Sequence, residues 1–294
     1  MDLRHLRSVV ALGEEEHFTR AARRLGIAQP ALSQQVKRLE AETGLRLVER
    51  STRSVRLTHA GRTLAAGARR VLREMETLEQ DLDALRGVRS GRVTVGVTRT
   101  PGAVDVAALL GRFLRAHPGI DVDVREALTV ELLADLEAGS LDLALVAEGA
   151  AVPAAVAVRR IASEPLVAVV PPGHPLAARD DVTVADLAGD RVVAFHRGAT
   201  IRRQLEDAAD AAGATLRLAF ETADPHRARA LVAQGLAVGV MPASDARADG
   251  PAVAVVPLRD PALMHRTAVA VLRDARPSPA AAALLDVVLR GADA

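Results

Sequence analysis

The chain of 294 residues has no cysteine, tryptophan or tyrosine and only four phenylalanines. Without cysteine there can be no disulfide, thiolate metal site or thiol nucleophile. Such a chain suits a reducing compartment, and a cytoplasmic location is expected. The scarcity of aromatic rings weighs against RNA or single-stranded ligands, whose bases stack on aromatic platforms. No apolar run reaches the roughly eighteen residues that a membrane-spanning helix needs. The opening "MDLRHLRSVVALGEEEHF" has a short apolar run followed by three glutamates, so it reads as a folded helix rather than a signal peptide. Lysine occurs once, at Lys37, a bias toward arginine rather than a functional signal.

Motifs of chemistry are missing as well. "GVTRTPG" has neither the glycine spacing nor the Lys-Ser/Thr ending of a phosphate loop. There is no Gly-x-Ser-x-Gly elbow, and no histidine pair has metal-ligand spacing with nearby acids. No catalytic residue, metal site or cofactor is expected. A site assembled only in space would leave no linear signature.

What is present is an uneven charge. The chain carries +1 overall, yet residues 17–58 hold nine basic side chains against three acids. A basic block on a mildly acidic body fits a nucleic-acid-binding module joined to something else, although charge alone is equally compatible with a solvated surface. The length allows two or three domains.

Within that block, "FTRAARRLGIAQPALSQQVKRLE" reads as two short helices about a Leu-Gly-Ile turn. Leu3, Leu6, Val9 and Val10 place an amphipathic helix before them. Thr19 stands where a helix cap belongs, and Pro30 suits the first turn of the second helix. Leu32, Val36 and Leu39 fall within about 60° of one another at 100° per residue and form a buried stripe. Pro30, Ser33, Gln34 and Lys37 lie opposite, with Gln29 at the leading end. That pattern is a helix-turn-helix whose outward face fits a major groove. An ordinary helical hairpin is the bland alternative. "LRLVERSTRSVRLT" weighs against it, reading as strands Leu45–Glu49 and Ser54–Leu57 around an arginine-tipped turn, a wing suited to phosphates or the minor groove.

From Thr63 to Gly87 there is no proline. Leu64, Ala68, Val71, Met75, Leu78, Leu82 and Leu85 keep a heptad seam, which favours pairing with a second subunit over packing within one domain. After the hinge "RGVRSGR" the pattern changes to alternating strands and helices. Strands are expected at Val93–Val97, Ile120–Glu126, Leu141–Val146, Leu166–Val170, Arg191–Phe195, Leu216–Glu221, Ala237–Pro242, Val253–Leu258 and His265–Leu272. Pro101 to Ala116 is expected to be helical, and Thr129 to cap the next helix. Two α/β halves with chain crossings between them would enclose a cleft, where ligands bind at strand ends and helix N-termini. "VTRTPGA", "ALTVE" and "FHRGAT" meet that description. They nominate Thr98, Thr100, Thr129, His196, Arg197 and Thr222 as effector contacts, while each lone threonine has helix capping as its equal alternative. Arg99, Arg197 and Arg202 nearby make an organic anion the expected ligand class.

"FTRAARRLGIAQPALSQQVKRLEAETGLRLVERSTRSVRLTHAG" closely resembles the DNA-binding region of LysR-type transcriptional regulators. "HPGIDVDVREALTVELLADLEAGSLDLALV", "PPGHPLA" and "QGLAVGVMP" resemble the family's effector domain, so the likeness spans the whole chain. The resemblance implies an N-terminal all-α winged helix-turn-helix with a linker helix and a C-terminal α/β, two-lobed effector domain like periplasmic binding proteins. The expected boundaries are 1–58, 59–89 and 90–294, with lobe 1 at about 90–161 and 266–294 and lobe 2 at about 162–265. It further implies that Gln29, Pro30, Ser33 and Gln34 face bases, and that Thr19, Lys37, Arg50 and Arg53 hold phosphates. Thr100 and Thr129 fall where the family commonly binds its co-inducer. One departure is Ala28, where the family often has Ser or Thr. Expected partners are double-stranded promoter DNA, a small-molecule effector and further copies of the chain, a dimer through the linker helix and by resemblance a tetramer.

The residues therefore point to a transcription factor controlled by a small effector. Two alternatives stand beside it: a DNA-binding regulator with no small effector, and an enzyme with an attached DNA-binding domain.

Overall fold

The structure, a computed structural model, describes residues 1–50, 55–85 and 90–292. They form two compact units, one built mainly from Met1–Ser90 and the other from most of the chain beyond.

In the first unit, α1 (Leu3–Glu15) is opened by a capping box in which Asp2 accepts the His5 amide. Helix α2 (Phe18–Arg24) is capped by His17, whose Nδ1 accepts the Thr19 amide at 3.2 Å. Thr19 is thus the second helical residue and not the cap expected of it. Imidazole can accept where a hydroxyl usually would. Helix α3 (Gln29–Thr43) starts at Ala28, which makes no side-chain cap. Leu32, Val36 and Leu39 are fully buried against Leu6, Val9, Leu12, Ala21 and Ala22. Each buried leucine of that stripe contributes about 2 kcal/mol.

Strands β1 (Val48–Arg50) and β2 (Val55–Leu57) pair antiparallel, Val48 opposite Leu57. They are shorter than expected. Leu45 is exposed beyond the helix-ending Gly44, and the Leu47 amide goes to a side chain of α3 rather than to a strand. Ser54 and the wing-tip residue Arg53 lie outside the described residues.

Helix α4 (His59–Leu85) begins four residues before Thr63, because the Thr58 hydroxyl accepts the Gly61 amide at 3.0 Å. Only glycine fits at Gly61, where a Cβ would lie 2.1 Å from the Leu47 carbonyl oxygen. The expected heptad seam divides. Leu64 and Ala68 pack into this unit's own core, whereas Val71, Leu78 and Leu82 are exposed.

The second unit is a nine-stranded sheet with helices. Its elements are β3 (Gly91–Thr98), α5 (Val106–Ala116), β4 (Ile120–Ala127), α6 (Thr129–Ala138), β5 (Leu143–Ala147), β6 (Val156–Val170), β7 (Arg191–Phe195), α7 (Thr200–Ala211), β8 (Arg217–Thr222), α8 (Pro225–Ala233), β9 (Val238–Pro242), α9 (Ala243–Arg247), β10 (Ala254–Pro257), β11 (Met264–Leu272) and α10 (Pro279–Ala292). The order β4-β3-β5-β11-β6-β9-β7-β8, with β10 on β6, contains two parallel α/β halves, β4-β3-β5 and β9-β7-β8. Strand β5 shows how a half is packed. Leu143 and Leu145 enter one apolar cluster while Ala144 and Val146 enter another on the opposite face. A strand covered on both faces is apolar throughout.

Two elements differ from expectation in ways that shape the cleft. Helix α5 begins at Val106, not Pro101, because Gly102 turns the chain at φ +61° and Asp105 caps the helix through the Ala108 amide. Strand β6 runs fifteen residues, although only Leu166–Val170 reads as a strand. Arg159, Arg160, Glu164 and Pro165 interrupt the apolar pattern, and the pairing of Val156–Pro165 with β11 holds that half extended. Its far end pairs with β9 and β10, so one strand serves both lobes. Among the described residues no helix is long and apolar enough to cross a membrane.

Candidate functional site

Each unit carries one candidate site. In the first, Gln29, Pro30, Gln34 and Lys37 of α3 are exposed and Ser33 is half-buried. Thr19 is exposed on α2. The fold thus leaves five polar or proline side chains of one helix at the surface, opposite the Leu32-Val36-Leu39 stripe. Arg50 ends β1, and its side chain, like Arg53, lies outside those described. Ser8 of α1 donates to Gln35 Oε1 at 2.6 Å, bracing α3 from behind. Such a face presents amide and hydroxyl groups that can match base edges, with a cation one turn further along.

In the second unit a pocket of about 420 Å³, open solvent included, lies where β3, β7 and the first turns of α6 and α7 converge. Thr98 and Thr100 line it from the end of β3, Thr129 from the start of α6, and His196 from beyond β7. Arg197 and Thr222 are not brought to its wall. Arg197 is exposed, and the Thr222 hydroxyl accepts the Asp224 amide at 3.2 Å. Thr200, Phe195, Leu128 and His265 join the wall without having been singled out in the sequence. A histidine at the start of a late strand carries no linear signal for such a place.

The Thr129 hydroxyl does not cap its helix. It accepts the Ala147 amide at 3.1 Å, and Glu131 takes the Leu128 amide at 3.0 Å. Its own hydrogen remains available. Helix α7 opens at Ala199, which supplies no side-chain cap, so its first amides also face the cavity uncapped.

The charges are arranged differently from the sequence expectation. Of the three arginines considered, only Arg99 lines the cavity. Buried Arg202 is committed elsewhere, to Glu206 at 2.6 Å, the Phe195 carbonyl at 3.3 Å and Glu221 at 3.7 Å. Glu221 also holds His196 Nδ1 at 2.9 Å. Among the described residues no aspartate or glutamate lines the cavity. The uncapped N-terminus of α7, several hydroxyls and Arg99 favour an anion, while the first turn of α6 already holds the Glu131 carboxylate.

Comparison with known proteins agrees with both halves. The family described as "Bacterial regulatory helix-turn-helix protein, lysR family" matches residues 3–62. The "LysR substrate binding domain" matches residues 86–293. The chain is 36% identical over 247 residues to the uncharacterised HTH-type transcriptional regulator YnfL of Escherichia coli, covering 83% of each. It is 34% identical over 243 residues to a hydrogen peroxide-inducible genes activator of Pectobacterium carotovorum, covering 83% of this chain and 80% of the other. Among solved structures it is similar to a full-length OxyR cysteine variant from Pseudomonas aeruginosa, with a TM-score of 0.78 at 27% identity, covering 99% and 94% of the two chains.

Proposed function

Because the chain belongs to the LysR family of DNA-binding transcriptional regulators, we propose that the outward face of α3 reads promoter DNA and that an organic anion in the second unit's cavity controls that reading. Gln29, Pro30, Ser33 and Gln34 meet bases, while Thr19, Lys37, Arg50 and Arg53 hold phosphates. The exposed polar face of α3 above a fully buried apolar stripe carries this half.

The effector half is carried by the N-terminus of α7, which no side chain caps and which opens on a cavity with no carboxylate among its described lining residues. Thr98, Thr100, Thr129 and His196 contact the ligand, with Thr200 beside them. Because β6 serves both lobes, a ligand that bridges Thr129 and Thr200 draws the lobes together about that strand. The exposed Val71, Leu78 and Leu82 of α4 pair two subunits in the cytoplasm, and a tetramer forms from two such dimers. The protein acts by binding rather than catalysis. The acid–base couple His196 with Glu221 beside the cavity has no hydroxyl bonded to the imidazole's other nitrogen among the described residues.

A relative bears the name of a peroxide-inducible activator. Here peroxide would find no thiol, since the chain has no cysteine. That favours ligand binding over thiol oxidation as the input.

Gel shifts with the intergenic DNA beside the protein's own gene test the reading. Gln34→Ala should lose about 1–3 kcal/mol of discrimination at one base position, whereas Lys37→Ala should weaken all sequences alike and lower the salt slope by about one. Equal effects of both on random DNA would contradict the roles. Calorimetric titration with organic acids and neutral analogues tests the effector, and binding by neutral compounds alone would remove the anion.

A further inference from the structure

Glu164 lies where β6 changes partners. It stands opposite His265 of β11, and the next pair, Pro165 with Met264, is the last between those strands. From Leu166 onward β6 pairs with β9 instead. The buried Glu164 side chain reaches across this change. Its Oε2 accepts the Ser244 amide at 2.6 Å, and its Oε1 accepts the Ser244 hydroxyl at 2.8 Å. Ser244 belongs to α9, which follows β9 directly. On the other side, a Cβ at Gly102 would lie 2.6 Å from Glu164 Oε1 and 2.5 Å from His265 Cδ2. His265 Nε2 donates to the Thr100 carbonyl at 2.9 Å, and the Thr267 hydroxyl to that of Pro101 at 2.9 Å. The Glu164 carboxylate is thus wedged between the loop that carries Thr100 into the pocket wall and the lobe that holds α9.

Asp245, beside Ser244 in the chain, makes this contact sensitive to a proton. Its Oδ2 is buried and has no hydrogen-bond partner. Burial, and then the charge of Glu164, pushes it up to about 6. Strands β6 and β9 and helix α8 pack on α9. Strand β9 bears no ionisable side chain, and β6 presents Glu164 here. Helix α8 brings His226, Arg227 and Arg229, with Asp224 as its cap. Arg229 is committed to the carbonyls of Ala248 and Pro251, whereas His226, Arg227 and Arg247 of α9 itself are exposed. His226 favours the ionised Asp245 and Asp224 opposes it. Burial holds His265 below the ordinary histidine value, so near pH 7 it is neutral and gives Glu164 no opposing charge. Once Asp245 ionises, two carboxylates confront each other out of water and repel.

We propose that Glu164, Ser244 and Asp245 form a proton-sensitive hinge between the lobes: with Asp245 protonated, Ser244 stays clasped on Glu164 and the lobes are held together, and loss of that proton loosens the clasp and lets them part. An effector that closes the cleft would then bind more tightly as pH falls through this window. That consequence rests on the effector reading above, and the hinge itself does not.

The chain has no cysteine, so spin labels can be placed selectively on the full-length protein. Val130→Cys on α6 and Asp207→Cys on α7 put exposed labels on the two lobes. Mixing with unlabelled chains isolates distances within one subunit. Pulsed electron paramagnetic resonance without ligand should give one short distance at pH 5 and an added longer population at pH 7.5, with a midpoint near 6. Asp245→Asn should keep the short distance at both. Glu164→Gln can still accept the Ser244 amide and donate to the Ser244 oxygen, so it should move the midpoint to lower pH by removing the neighbouring charge. Circular dichroism reports whether the variants fold, and the wild-type titration decides the matter if they do not. Distances that do not differ between pH 5 and 7.5, or a transition that survives Asp245→Asn, would overturn the proposal. Either result leaves the anion reading intact, because no ligand is present in the measurement.

Discussion

Glu40 of α3 accepts the backbone amide of Leu47 at 2.9 Å, and with the same Oε1 that of Val48 at 3.2 Å. One carboxylate in the last turn of the proposed reading helix therefore sets where the wing begins. Glu40→Ala would leave two partly buried amides without an acceptor and should cost about 1–3 kcal/mol. Glu40→Gln keeps an oxygen in place and should cost less. Urea melts would measure the loss. DNA affinity should fall with base preference unchanged, because the wing and not the face of α3 is displaced. A Glu40→Ala variant as stable as wild type would contradict the link.

Ala28 begins α3 with extended backbone and no side-chain cap. Ala28→Ser should raise stability by about 1 kcal/mol by supplying an acceptor for the first-turn amides. Thermal melts check this, and a gel shift would show whether the new hydroxyl also tightens binding to all sequences alike.

Leu78 is 57% exposed on α4, between exposed Val71 and Leu82. Leu78→Glu should shift the protein toward monomer at micromolar concentration, read by analytical ultracentrifugation, because a charge would enter the subunit seam. An unchanged sedimentation profile would exclude this stripe as the dimer contact.

Asp245 is pushed up to about 6, chiefly by burial and then by the charge of Glu164, and its Oδ2 has no hydrogen-bond partner. Between the ordinary aspartate value of 3.8 and about 6 the native state keeps a proton that the unfolded chain has released. Stability therefore falls as pH rises through that window and stays lower above it. Asp245→Asn should stabilise the protein at pH 7.5 by up to about 3 kcal/mol, with the gain vanishing near pH 4. Asp186 has the opposite sign. Hydrogen bonds from the Thr183 amide and hydroxyl, then Arg179, hold it at about 2, so its contribution is lost only below 3.8. Chemical denaturation at pH 4 and 7.5 would separate the two, and an equal Asp245→Asn effect at both would sink the assignment.

Much of this was legible in the chain itself. Leu32, Val36 and Leu39 are spaced to bury one side of a helix, which leaves Ser33, Gln34 and Lys37 outward. Local spacing suffices because a helix fixes direction at 100° per residue. The parallel strands announced themselves through unbroken apolar runs such as Leu143–Ala147. The first half of β6 did not, since its charges hide a strand that only pairing with β11 holds extended.

Composition and periodicity alone determined a basic helical reader, a seam-bearing linker and an α/β body, because each follows from contacts within a few residues. Tertiary structure decided the rest. It divided the heptad seam between core and surface, spent Arg202 on Glu206 and the Phe195 carbonyl, left Arg197 and Thr222 off the cavity wall, and brought in His265. These outcomes depend on which distant strands lie side by side, and a hydrogen bond such as His265 to Thr100, spanning 165 positions, has no trace in local pattern.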